Sequence, residues 1–177
     1  MSVSSIAKPS AIISSELDKL FASHRPTKWV TRERPKIDRI ACPWLILRFI
    51  DPKAEFLYVP VKQVFAAAQS ERAVAYDIPG APFEHNGERC SFDAVVERFA
   101  LEAAGLDRLA KIVRGADTGR LDLTPESPGL YAISLGLSRM FADDHEMLRH
   151  GLVMYDALYA WILQAQDETH NWPPKTT

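Results

Sequence analysis

The chain has 177 residues, of which 47% are hydrophobic and 25% charged, and its formal net charge is −2. Length and mix are those of one ordinary globular domain, long enough to bury a sizeable core. The near-balance of charge argues against a general electrostatic grip on nucleic acid or an anionic membrane, so this chain alone is expected to bind neither.

Two cysteines, Cys42 and Cys90, are too few for a disulfide scaffold, and residues 1–15 lack the apolar run of a secretory leader. No stretch reaches the roughly 18 apolar residues of a membrane span. A cytoplasmic setting with free thiols is therefore expected.

Residues 1–27 are rich in Ser, Ala and Lys and read as a flexible N-terminal arm with one short amphipathic helix over 14–21, capped by Ser14 or Ser15. Residues 29–32 have strand composition. The apolar run after Ala41 reads as a buried helix with Pro43 in its first turn, stopped by Asp51 and Pro52. A strand over 55–59, a helix about 61–70 and a strand over 73–76 follow, ending in a turn at 77–80. A polar loop over 82–90 turns at Asn86 and Gly87.

From Ser91 onward the pattern is helical, over 92–101 with Ser91 as cap, 106–113, 128–141 and 143–166. In the last of these Leu148, Leu152, Tyr155, Leu158, Tyr159 and Ile162 recur at three- and four-residue steps. The predicted fold class is α+β and helix-rich: a small β-sheet from the first third, in β-helix-β-helix-β order, packed under a mainly helical second half. One folded domain is expected over 28–166, with a tail over 167–177.

Four groups of residues could carry chemistry. If the buried helix starts near Pro43, Cys42 sits at its N-terminal edge, where free N–H groups and the dipole favour a thiolate. The same edge suits an oxyanion, with Arg34, Lys36 and Arg39 as donors. The competing reading makes Cys42 a small core residue, pairs Asp38 with Arg39 or Arg48, and leaves Arg34 and Lys36 solvated. His85 and Cys90, five residues apart across a Gly87 loop, could ligate a borderline metal, although a surface His and a buried Cys explain them too.

Asp143 and Asp144 suit the start of a helix, whereas His145 and Glu146 are ready ligands or acid/base groups. Position 149 is Arg, so the zinc-protease spacing is absent, and Glu146 with His150 also reads as a helix-surface pair. Gly115 is expected to end the 106–113 helix in a left-handed conformation, leaving Asp117 in a loop, free to reach a site. Asp156, on a core-facing helix, needs a partner, and Arg139 or Arg114 could supply it. Trp29, Trp44, Trp161 and Trp172 read as core and edge packing.

Several segments, in one order from Trp29 to Leu163, resemble the C-terminal domain of ChrB-type chromate-resistance proteins. They are DRIACPWLI at 38–46, FIDP at 49–52, DIPG at 77–80, His85 with Cys90 and Phe92, IVRGAD at 112–117, ADDHE at 142–146 and YDALYAW at 155–161. The resemblance implies a bacterial protein associated with chromate resistance, in a family thought to sense chromate and regulate the resistance genes. Two departures stand out: family members often carry His where this chain has Arg114, and only about 28 residues precede Trp29, without the additional N-terminal region of full-length members.

Two functional readings result. As a sensor or accessory module, the chain would bind an oxyanion such as chromate, a metal, or both. Lys36, Asp38, Arg39, Arg114 and Tyr155 would then contact the ligand, and His85, Asp117, His145 and Glu146 would hold zinc, iron or manganese. As an enzyme on chromate or a related small substrate, the metal or the thiols of Cys42 and Cys90 would do the chemistry, with Glu146 as a further catalytic candidate. A homodimer is compatible with either reading, as is docking on a transporter or regulator.

Overall fold

Two adjacent residues of one short strand, Trp29 and Val30, are both fully buried yet belong to different apolar clusters. Successive side chains of a strand point to opposite faces, so this strand must be covered on both. In the computed structural model, which describes residues 11–22 and 24–168, it is β1 (Lys28–Arg32), the central strand of a three-stranded parallel sheet in the order β2-β1-β3. The partners are β2 (Glu55–Val59) and β3 (Val74–Ala75), with Trp29 in register with Phe56 and Val74 on one face, and Val30 with Leu57 and Ala75 on the other.

The crossover helices take opposite faces. Helix α2 (Asp38–Phe49) packs with Trp29, Phe56 and Val74, and α3 (Val64–Glu71), entered through a 3-10 turn at Val61–Gln63, packs through Val64 against Val30 and Ala75. The second half adds α4 (Ser91–Arg98), α5 (Leu106–Asp117), α6 (Ser127–Met140) and α7 (Asp144–Gln164), whose buried residues join the α2 side. The expected architecture, a small early sheet under a mainly helical second half, is the observed one. No helix among the described residues is long and apolar enough to cross a membrane.

Several boundaries differ from expectation for identifiable reasons. The segment read as a loose arm is helical as α1 (Ala11–Phe21), with Ser14 and Ser15 inside the helix. Ile13, Leu17 and Phe21, four residues apart, are buried in the main core, and Phe21 meets Trp29 edge-on at 5.1 Å. The remainder of the expected arm, residues 1–10, and most of the tail, with Trp172, lie outside the described residues.

Helix α2 begins at Asp38, a full turn before the position expected from Pro43. A proline there removes the N–H that would bond the Arg39 carbonyl. The Tyr58 hydroxyl donates to that carbonyl instead, at 3.3 Å, so the lost bond is replaced from β2.

Helix α5 runs through Gly115 to Asp117 instead of ending at residue 113. Gly115 is needed for contact: a side chain there would run into the Ser127 hydroxyl and the Arg120 carbonyl. The left-handed glycine lies later, at Gly119. Asp117 is thereby fixed on a last helical turn, where a loop was expected.

Asp143 caps α7, accepting from the Glu146 N–H at 2.6 Å. The α7 carboxylate expected to face the core is half-exposed and has its partners on α2, since Asp156 accepts from Trp44 Nε1 at 2.8 Å and from both Arg48 Nε and Nη2, not from Arg139 or Arg114. The α2–α7 crossing is close because Gly151 has no side chain; a Cβ there would overlap Ile40 Cγ2. Gly151→Ala is therefore expected to lower stability by about 1–3 kcal/mol through overpacking, read as a lower urea midpoint at unchanged slope. An unchanged midpoint would contradict the closeness of this crossing.

Candidate functional site

A parallel sheet in the order β2-β1-β3 reverses its direction of winding at β1. No crossover bridges the gap outside the carboxyl ends of β1 and β3, which is where open α/β sheets bind ligands. Arg32 is the last residue of β1, and Asp77 follows the β3 bridge at Tyr76. Asp77 takes a positive φ of 51° and its N–H donates to the Phe83 carbonyl at 2.8 Å, which turns the chain back toward His85.

Three further elements converge there. Asp38 opens α2 and is fully buried. Its Oδ2 accepts the Ser91 N–H at 2.6 Å and the Phe92 N–H at 3.3 Å, so it occupies the anion-favouring start of α4. Asp117, ending α5, accepts the Asp38 N–H at 3.3 Å. The His85 ring comes in from the 82–90 loop: its Nε2 lies 3.0 Å from Asp117 Oδ2, 3.3 Å from Asp77 Oδ1 and 3.7 Å from Asp38 Oδ2. Asp77 is held from the other side by Arg32 Nη2 at 2.9 Å and Arg39 Nε at 3.2 Å.

These charges strain one another. Burial first, then the like charges of Asp117 and Asp77, push the Asp38 carboxyl well above its ordinary range. A carboxyl raised in this way works against folding as pH rises past its ordinary value, unless a cation compensates it. His85 supplies one: hydrogen bonding to Asp117 and then to Asp77 pushes its ring up to about 10, against the opposing effect of burial. Asp77 is desolvated, yet the bonds from His85 and Arg32 and the nearby arginines pull its carboxyl below the usual value.

One ligand atom each of Asp38, His85 and Asp117 lies within 4.8 Å of the other two, the spacing a single metal ion requires. Carboxylate oxygens and one imidazole suit manganese, iron or zinc, and the absence of a thiolate turns preference away from softer ions. Beside this group, a cleft of about 300 Å³ is lined by Arg32, Asp77, Ile78, Pro79, Glu84 and His85.

The structure thus divides the residues expected from sequence. Asp38, Arg39, His85 and Asp117 come together, whereas His145 and Glu146 are exposed on the first turn of α7 and are not in the group above; the His145 ring packs on Tyr58 at 5.5 Å. Their place follows from Arg34, which ties this end of α7 by donating its N–H to Asp144 Oδ2 and its guanidinium to the carbonyls of Ser138, Phe141 and Ala142 at the end of α6. Arg114 is engaged by Asp93 through two bonds of 2.8 and 2.6 Å, Lys36 is exposed, and the buried Tyr155 hydroxyl donates to the Ile37 carbonyl.

Both thiols take the buried positions of the plainer readings, not those of reactive or ligating groups. Cys42 is in the second turn of α2 and fully buried, and Cys90, not Ser91, is the N-cap of α4, equally buried. Burial pushes both thiols up, the reverse of activation at a helix edge. Sequence reasoning did not single out Arg32 and Asp77 as site residues. The available signal was their position at the carboxyl ends of the first and third predicted strands.

In chelator, the His85 ring is expected to keep its proton at pH 8 and to titrate near 10, and Asp117→Asn to move that midpoint toward the ordinary value of about 6.5. Stability from these contacts is fully present below about 6.5 and is lost as pH rises through about 10. Imidazole resonances followed by NMR test this; a wild-type midpoint near the ordinary value would contradict the contact geometry.

Comparison with known proteins places the chain. The family model described as "ChrB, C-terminal domain" matches residues 29–162. A curated relative, "Protein ChrB" of Cupriavidus metallidurans, is 36% identical over 134 residues, which span 75% of this chain but 40% of that protein. No solved structure matches. With the matched region holding the sheet, the carboxylate–histidine group and nearly all of α7, the chain belongs to the ChrB C-terminal domain family.

Proposed function

We propose that this chain is a ligand-binding module of chromate resistance, a sensor or accessory domain, whose Asp38–His85–Asp117 group holds a divalent transition cation. The observation that carries the reading is the meeting of three ligand atoms from three separate elements around a carboxylate with no solvent contact. Arg32 and Arg39 are committed to Asp77, so Asp38, Asp117 and the His85 ring nitrogen are the groups left to ligate a divalent ion, which takes the place of the ring proton shared between them. Family membership supports the link to chromate resistance. Two buried free cysteines agree with a reducing, cytoplasmic setting.

The helix starts expected to cradle an oxyanion directly have other occupants. Asp38 covers the first N–H groups of α4, and Asp117 accepts the first N–H of α2. The thiol-based enzyme reading loses support in the same way, because neither sulfur reaches solvent and both are held protonated.

Metal analysis and calorimetric titration with Mn²⁺ and Zn²⁺ after EDTA treatment test the proposal. One ion per chain is expected, with His85→Ala and Asp117→Asn each weakening it about tenfold or more and Cys42→Ser and Cys90→Ser leaving it unchanged. No binding of either ion to the folded chain, or equal binding to the His85 and Asp117 variants, would overturn it.

A further inference from the structure

We infer that the cleft beside the carboxylate–histidine group receives a small anion with oxygen donors, held jointly by Arg32 and by the bound cation. This deepens the cation reading and rests on it. His85 belongs to both the cleft and the group, and Asp77 in the cleft lining lies 3.3 Å from the His85 Nε2. Asp38 is fully buried and the Asp117 side chain is only 14% exposed, while His85 is 42% exposed. The cation's accessible side therefore faces the cleft. One oxygen or nitrogen from each of three side chains leaves positions open on an ion that prefers six ligands.

The cleft also holds an arginine with donors to spare. Arg32 spends only Nη2, on the carbonyl and carboxylate of Asp77, at 2.8 and 2.9 Å. Its Nε is buried and has no hydrogen-bond partner among the described residues. Arg39 differs, with Nη1 on the carbonyls of Arg32 and Glu33 and Nε on Asp77. Nη1 has no acceptor among the described residues, and it is the charged donor that the cleft can offer one oxygen of a carboxylate or a tetrahedral oxyanion.

The charges around the cleft make anion binding conditional. Arg32 and Arg39 face the carboxylates of Asp38, Asp77, Asp117 and Glu84, the last of these accepting the Gly80 N–H at 2.6 Å. An anion entering the metal-free cleft meets these carboxylates set against Arg32, Arg39 and the His85 ring, so charge alone gives it little attraction. A divalent cation adds positive charge and offers the anion a ligand position. The cation and the anion therefore bind cooperatively, through contact and charge and without a conformational change.

Calorimetry on the full chain, stripped with EDTA or loaded with Mn²⁺, tests this with sulfate and chromate as tetrahedral probes and oxalate as the carboxylate probe. At least one probe is expected to bind the loaded protein about tenfold or more tighter than the stripped protein. Arg32→Gln and Arg32→Lys are expected to weaken that probe about tenfold in the Mn²⁺-saturated protein. Preference for sulfate and chromate, or for oxalate, identifies the source of the oxygens. Mn²⁺ binding with no response to any probe, or anion affinity indifferent to Mn²⁺, overturns this inference and leaves the cation reading standing. Failure to bind Mn²⁺ removes both. The comparison of loaded with stripped wild type holds even where an Arg32 variant does not fold.

Discussion

The carboxylate of Asp38, closed off from solvent and seated on the N–H groups of Ser91 and Phe92, is the contact on which the remainder of the structure is arranged. It joins the first turn of α2 to the first turn of α4, elements 53 residues apart in the chain. A buried charge must find donors or opposite charge, and here the donors are the unpaired amides that every helix start leaves over. The same seat brings Asp38 beside Asp117 and Asp77, whose repulsion it cannot escape. His85, drawn in from a loop, offsets part of that repulsion. Stability and ligand chemistry therefore meet at one atom group: what is unfavourable in the empty site is what gives a cation its affinity.

The sheet order explains why this happens at one end of the molecule. Since β1 is flanked by β2 on one side and β3 on the other, its crossover helices lie on opposite faces and the carboxyl ends of β1 and β3 stay open. Arg32 and Asp77 come from those ends, Asp38 from the helix that follows β1, and Asp117 from α5, whose close approach to α6 depends on Gly115. Four of the five positions sit on or immediately beside regular elements. His85 alone comes from a loop, and it is also the residue most open to the cleft.

Much of the architecture was legible in sequence because local signals and tertiary packing agreed. The strands over 29–32 and 55–59 and the four late helices lie within a few residues of their expected places, since apolar periodicity reports the buried face directly. Disagreements arose where a single residue serves a distant contact. Pro43 suggested a helix start, but Tyr58 replaces the bond it removes. Gly115 suggested a helix end, but its missing side chain admits Ser127. Cys42 read either as a helix-edge thiol or as a small core residue, and the extra turn of α2 before it decides for the core.

For the site, residue type alone identified His85, Asp117, Asp38 and Arg39 as candidates, together with His145 and Glu146, which have the same chemistry at a different place. Nothing in spacing along the chain separates the two sets, because His85 and Asp117 are 32 residues apart and meet only through the loop after β3 and the far end of α5. The sequence by itself determined the family, the helix-rich α+β class and the apolar faces, since these depend on residue type and short-range periodicity. Only the tertiary structure decided which carboxylates share one imidazole, and that Arg32 and Asp77 stand beside them. Proximity between distant residues is set by strand order and helix packing, and neither is written in any local stretch of the chain.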